Sequence, residues 1–268
     1  MALFGFIGAG NMGYPLIKAA AQTFTKEEVI FTDVSTERCN YVKGETGVNF
    51  LTDNISVVQQ CTYLILAIKP QFFQPVLSQI KEKVTKEQIV ISIAAGITID
   101  AIKEALRDDI RIVRAMPNTP AMVNQGMTGI CYSKEHFSND EIEMIDRFFR
   151  SFGKYEIFDE KLMNAVICAN GSSPAYVYMF IEALADSVVA YGIPRDKAYA
   201  LAAQTVLGAA SMVLETGEHP GRLKDNVCSP GGTTIAAVKA LEEYGLRNSI
   251  MKATDACYAK AVELSTKK

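Results

Sequence analysis

The chain opens on an apolar run, Leu3-Phe4-Gly5-Phe6-Ile7, that breaks into Gly8-Ala9-Gly10-Asn11-Met12-Gly13 and passes at once into an amphipathic segment through Phe24. Strand, glycine turn and helix in that order is the arrangement a dinucleotide pyrophosphate needs. Gly8 permits the sharp turn, Gly10 lets the phosphates approach the backbone, and Gly13 lets the helix pack closely on the strand. The helix N-terminus then offers unpaired N–H groups and a positive dipole end to an anion. An ordinary βα turn accounts for one glycine but not for three at this spacing.

From there to about residue 158, short apolar runs alternate with helical patterns. The strand-like runs are 3–7, 29–32, 48–51, 63–68, 89–93 and 110–115, followed by 129–132 and 155–158 around a helix over 139–152. Helices are also expected over 72–84, with Val76, Leu77, Ile80 and Val84 on one face, and over 98–106, where Thr98 and Asp100 are candidate caps. Such alternation predicts an α/β fold, a Rossmann-type, doubly wound and mainly parallel sheet covered on both faces. Beyond Phe158 the pattern is helical throughout, over 161–169, 174–191, 195–215, 233–244 and 246–264. The expected division is therefore a nucleotide-binding domain over 1–159 and an all-helical domain over 160–268. Residues 176–191 and 201–214 are apolar on more than one face. A helix apolar all round must be buried all round, and about 110 residues of helix do this most simply against a second copy, so a homodimer is expected.

A net charge of −3 without a basic block argues against nucleic acid. No run of roughly 18 uninterrupted apolar residues stands out, so no membrane span is expected, and the structured pattern leaves no room for a leader ahead of Leu3. The six cysteines form no CxxC pair and sit mostly in apolar runs, as reduced core residues of a cytoplasmic protein do. With two histidines, His136 and His219, neither near paired cysteines, no metal site is expected. His219, ahead of Pro220-Gly221, reads as a structural loop residue.

In open α/β sheets ligands bind beyond the carboxyl ends of the strands, so the residues following each strand carry the chemistry. Asp33, twenty residues beyond Gly13, has the right type and place to accept the ribose hydroxyls of NADH, or else it caps the next helix. Ser35, Thr36 and Arg38 are equally placed for the 2′-phosphate of NADPH. Asn54 is a helix cap or an adenosine contact. Lys69 in Ala67-Ile68-Lys69-Pro70 is held extended by the proline. Ala95 and Gly96 are small enough for a nicotinamide ring to approach. Asn118 and Thr119, between Pro117 and Pro120, face a ligand or order the turn. Two islands interrupt the helical half: Gly171-Ser172-Ser173-Pro174, and Lys224 to Thr234 with its Pro230-Gly231-Gly232 turn. Both gather donors at a helix start, and together they suit a small anionic substrate. No covalent nucleophile or histidine is called for, which fits hydride transfer to a carbon already electrophilic, such as an iminium.

Taken together, Phe6 to Gly13, Ala67 to Pro70, Ala94-Ala95-Gly96, Met116 to Pro120 and above all Leu223 to Thr234 resemble pyrroline-5-carboxylate reductases over essentially the whole chain. The resemblance implies NADPH- or NADH-dependent reduction of (S)-1-pyrroline-5-carboxylate to L-proline and an intertwined dimer, often assembled further. It places cofactor contacts on Gly8, Ala9, Gly10, Asn11, Met12, Gly13, Asn54, Ala67, Ile68, Lys69, Pro70, Ala95, Gly96 and Asn226, with Asp33 added from its position. Substrate contacts fall on Gly171, Ser172, Thr233 and Thr234, with Glu160 nearby, and Thr234 is expected to act at the reacting end. Ser173 stands where a glycine is usual in the family, and Asp33 where small or basic residues are common. Two other readings compete. A 3-hydroxy acid dehydrogenase of similar build would need a catalytic lysine, for which Lys161 is the candidate; a non-catalytic NAD(P) sensor would need no such polar loops.

Overall fold

The computed structural model describes residues 2–266. Its single sheet joins β1 (Ala2–Ile7), β2 (Val29–Thr32), β3 (Asn49–Phe50), β4 (Cys61–Leu66), β5 (Ile89–Ser92), β6 (Arg111–Met116), β7 (Gly126–Cys131) and β8 (Gly153–Ile157) in the order β3-β2-β1-β4-β5-β6-β7-β8. All neighbours are parallel except β6 and β7, where Arg114 lies opposite Cys131 and Met116 opposite Gly129. The helices α1 (Gly13–Thr23), α2 (Thr36–Thr46), α3 (Asn54–Gln59), α4 (Phe73–Ile80), α5 (Ile99–Ala105) and α6 (Asn139–Arg150) connect them. This is the Rossmann-type, mainly parallel arrangement expected from the alternating pattern.

The two faces follow from the period of two along each strand. Phe4, Phe6, Tyr63, Ile65, Ile89, Ile91, Val113 and Ala115 enter a core rich in phenylalanine, with Phe148 and Phe149 from α6 and Phe152 just after it. Their neighbours Ile7, Leu64, Leu66, Val90 and Ile112 enter the opposite core with Leu77, Ile80 and Ile102. Strands apolar on both sides cannot face water on either, which is why helices cover both.

After β8 the chain is helical: α7 (Met163–Val166), a π-helical turn (Ile167–Gly171), α8 (Ser173–Val189), α9 (Arg195–Thr216), α10 (Pro220–Val227), α11 (Thr233–Glu243) and α12 (Leu246–Thr266). Two segments differ from expectation. The helix expected over 161–169 is a 3-10 turn (Glu160–Leu162), then α7, then the π turn. The stretch around Lys224-Asp225-Asn226, expected as a non-helical island, ends the helix α10, which Pro220 starts at its first position. His219 Nδ1 accepts from the Gly221 amide at 3.0 Å, so this histidine is a structural cap.

By compactness the chain divides at Ser172/Ser173, with the described residues from Cys257 onward joining the first unit, whereas strand content ends at β8. The physical reason is that Met163 and Val166 are buried with Met116 and Cys131, so α7 packs on the sheet. In the second unit α8 and α9 pack through Ala185, Ala198 and Ala202. Much of their apolar surface is left open: Val177, Tyr178, Met179, Phe180, Leu201, Leu207, Met212 and Leu214 are exposed. By length and composition α9 is also apolar enough to cross a membrane, although no uninterrupted apolar run marks it in the sequence.

Candidate functional site

The first turn folds as its glycines require. Gly8 has φ of +100°, and a Cβ there would stand 2.4 Å from the Ala67 carbonyl oxygen. A Cβ on Gly13 would meet the Gly8 carbonyl oxygen at 2.2 Å. These two residues clamp β1, α1 and the end of β4 together, and only glycine fits. Around Gly10, by contrast, nothing lies within 4 Å of such a Cβ. The amides of Gly10, Asn11 and Met12 have no acceptor among the described residues, and they precede an eleven-residue helix. Open space, free amides and a positive dipole end suit a pyrophosphate.

Beside this turn a cleft of about 540 Å³ opens, lined by Ile7, Gly8, Gly10, Asp33, Val34, Asn54, Ala67, Ile68 and Lys69, with Phe72, Pro75, Val76 and Gln79 closing the far wall. It lies beyond the carboxyl ends of β1, β2 and β4, where the strand order reverses. The cleft thus brings together residues that the sequence scatters over some 70 positions. Ala9, Asn11, Met12, Gly13 and Pro70 flank the cleft in sequence; Ala95 and Gly96 follow β5 and are not part of its lining. Lys69 is extended (φ −69°, ψ 147°) and exposed, as its proline neighbour dictates.

Asp33 is more constrained than its position implied. Its Oδ2 accepts the Ala9 amide at 2.8 Å and its Oδ1 the Ser35 amide at 3.0 Å. It thereby ties the glycine turn to the start of α2, while each oxygen keeps a lone pair for a ligand. Arg38 Nε donates to the Ala9 carbonyl at 2.6 Å, with the guanidinium about 5 Å from the Tyr14 and Tyr41 rings. Ser35, not Asp33, is the N-cap of α2, and Asp53, not Asn54, that of α3. The Asn54 amide instead donates to Gln79 Oε1 at 2.7 Å across the cleft.

The polar loop expected at Gly171-Ser172 is anchored by Asn170. This residue is 6% exposed, and its Nδ2 donates to the carbonyls of Met116 at 2.6 Å and Met127 at 3.0 Å. Its own carbonyl accepts from Asn118 Nδ2 at 3.1 Å, and Asn118 Oδ1 accepts the Met127 amide at 2.9 Å. Asn118 is buried and orders the turn, whereas Thr119 is exposed. A π turn leaves one amide reaching back five residues, here Ser172 N–H to Ile167 at 2.9 Å, and such turns gather at functional sites. The Ser172 hydroxyl accepts from the Cys257 thiol at 3.2 Å. The Cys168 thiol donates to the Asn164 carbonyl at 3.4 Å, and burial, with the neighbouring Cys257, pushes it up to about 11, so it stays protonated at neutral pH. Glu160 Oε1 accepts from Arg114 at 2.9 Å and from the Ile99 amide at 2.8 Å.

Asn226, Thr233 and Thr234 belong to the second unit. Asn226 is exposed in the last turn of α10, and Thr233 and Thr234 open α11 behind Gly232, with Gly231 at φ +71°. Sequence reading passed over Asn170 and Arg114. An asparagine beside a glycine signals a turn and not a buried anchor, but an arginine inside the apolar run 110–115 was a usable signal, because buried charge needs a partner. Among the described residues no group of acids, cysteines and histidines suits a metal.

A family model for pyrroline-5-carboxylate reductase dimerisation matches residues 160–264, and one for NADP oxidoreductases described as coenzyme F420-dependent matches residues 3–96. The pyrroline-5-carboxylate reductase of Escherichia coli is 44% identical over 264 residues, spanning 97% of either chain. The solved pyrroline-5-carboxylate reductase of Coxiella burnetii, 34% identical, superposes with a TM-score of 0.89 over 99% of both chains. That of Plasmodium falciparum, solved with NADP bound, is 30% identical with a TM-score of 0.89 over 99% of this chain and 98% of its own. With this likeness running the full length, from the glycine turn through the helical half, the chain belongs to the pyrroline-5-carboxylate reductase family.

Proposed function

We infer that the chain reduces (S)-1-pyrroline-5-carboxylate to L-proline with NADPH or NADH. The observation that carries this is the cofactor cleft, with its free amides at Gly10 to Met12, in a chain whose full-length relatives bear this activity in their names. A bound reduced nicotinamide supplies the hydride. Gly8 to Gly13, Asp33, Asn54 and Ala67 to Pro70 hold the dinucleotide, and Ala95, Gly96 and Asn226 complete its contacts. The amides of Thr233 and Thr234 bind the substrate carboxylate, and the Thr234 hydroxyl accepts from the protonated ring nitrogen. Gly171 and Ser172 border that carboxylate, Ser172 through its hydroxyl, because its amide, expected as a donor, is already held by Ile167. The ring carbon of that iminium is electrophilic without a further acid, so orientation is what the site contributes.

The two roles divide between a cofactor domain over 1–159 and a dimerisation and substrate domain over 160–268. The exposed apolar faces of α8 and α9 are then the dimer contact, which makes a membrane unnecessary to cover α9; the enzyme is cytoplasmic and has no nucleic-acid partner. Spectrophotometric turnover tests the activity. Purified protein should consume NADPH or NADH when the cyclic imine is present and not otherwise. Oxidation of a 3-hydroxy acid, or tight cofactor binding without turnover, would refute it.

A further inference from the structure

The loop between β5 and α5 carries Ala95 and Gly96 and turns on Gly96, whose φ is +78°. Distant parts of the chain hold this loop from two sides. A Cβ on Gly96 would stand 3.4 Å from the main chain of Leu264, so the end of α12 rests against it. From the other side, Glu160 Oε1 accepts the amide of Ile99, the first residue of α5, at 2.8 Å. The loop's own cap is already engaged, since the Thr98 hydroxyl accepts from the Ala101 amide at 3.2 Å. The Ile99 amide is therefore held by a carboxylate 61 residues away. A negative charge there also favours the helix dipole.

The same oxygen is held from behind by Arg114. This guanidinium, 3% exposed on β6, donates to it at 2.9 Å, and its Nε has no partner. Among the described residues Glu160 is its ion-pair partner. A buried cation with one anion fixes that anion's place, because any other position leaves the charge unpaired. The chain Arg114, Glu160, Ile99 thus ties the loop's exit to the sheet.

We propose that Glu160 is a positioning residue for hydride transfer: backed by Arg114, it fixes the Ala94–Thr98 loop and through it the nicotinamide end of the cofactor, and it does not touch the imine. The proposal rests on the reductase reading. Small displacements of reacting groups lower rates by large factors, so the effect belongs in kcat.

Three variants separate this from a structural or substrate-binding role. Glu160→Gln keeps an acceptor where Oε1 stands but removes the charge. Glu160→Ala removes both, and Glu160→Asp draws the acceptor back by one methylene, which gives the same comparison should the alanine variant fail to fold. Glu160→Gln should melt earlier, because Arg114 loses its counter-charge, yet keep kcat within about threefold. Glu160→Ala should lower kcat by at least about tenfold, with KM for both imine and cofactor within about threefold. Its primary isotope effect with C4-deuterated cofactor should rise, as hydride transfer becomes more rate-limiting. Wild-type kcat in the alanine variant, with only the melting point lowered, would overturn the proposal. So would a loss confined to KM for the imine and equal in Gln and Ala. Wild-type protein that turned over no imine would overturn the reductase reading and this proposal together, whereas normal wild-type turnover confines any failure to the proposal.

Discussion

Replacing Asp33 by serine should change both how well and how selectively the enzyme uses its cofactors, and the two effects can be separated. The Asp33 carboxylate accepts the Ala9 amide at 2.8 Å, inside the turn proposed above to receive the pyrophosphate. Losing that bond at a half-exposed site weakens the turn by about 1 kcal/mol, which lowers kcat/KM roughly fivefold for NADH and NADPH alike. The second effect touches NADPH alone. A carboxylate about 6 Å from a 2′-phosphate repels it by roughly 0.7 kcal/mol per charge pair at the dielectric of water, and by about twice that at half that value. Removing it gives back about three- to tenfold for NADPH. Asp33→Ser should therefore lower kcat/KM with NADH about fivefold or more and leave NADPH near the wild-type value, so that the ratio moves three- to tenfold toward NADPH. Arg38→Met should move it the other way, since Arg38 is fixed at the same turn through the Ala9 carbonyl. Initial rates with each cofactor at saturating imine provide the measurement. A ratio unchanged in both variants would show that Asp33 and Arg38 only order the turn, and the charge argument would fail.

Thr234→Ala should lower kcat/KM for the imine by at least about tenfold with cofactor affinity intact; a variant that merely melts earlier, by about 1 kcal/mol, would mark Thr234 as a helix cap. Leu207, 54% exposed on α9, would tolerate a charge if the protein were monomeric. Leu207→Asp should instead convert a sedimenting dimer into monomer or aggregate, and an unchanged dimer would remove α9 from the interface. Burial raises the pKa of Glu141, but hydrogen bonds from Ser138 and the Arg111 guanidinium outweigh this and hold it below the usual 4.5. A carboxyl depressed in the folded state stabilises above its unfolded pKa and loses that contribution as pH falls through the folded value. Glu141→Gln should accordingly be less stable than wild type near neutral pH, with the difference shrinking through acid unfolding below about pH 4.5; a constant difference would refute the linkage.

Much of this protein was legible from the chain alone because the signals are local. Three glycines after an apolar run permit one kind of turn, since the clashes at Gly8 and Gly13 arise between residues close in sequence or on adjacent strands. The alternation of apolar runs with helical patterns called for a mainly parallel sheet covered on both faces, and the apolar girth of α9 called for a partner surface that the dimerisation family model supplies. Tertiary structure decided what depends on groups far apart in sequence. Asp33 looked like a ribose ligand or a helix cap, and the fold turned it onto the Ala9 amide 24 residues away. Asn170 drew no reading from the sequence, and only the π turn buries it against the carbonyls of Met116 and Met127. Arg114 and Glu160, 46 positions apart, became a pair only because β6 and the turn after β8 are brought together. A hydrogen bond needs its partner within about 3 Å, and no pattern along a chain records which distant residue will stand there.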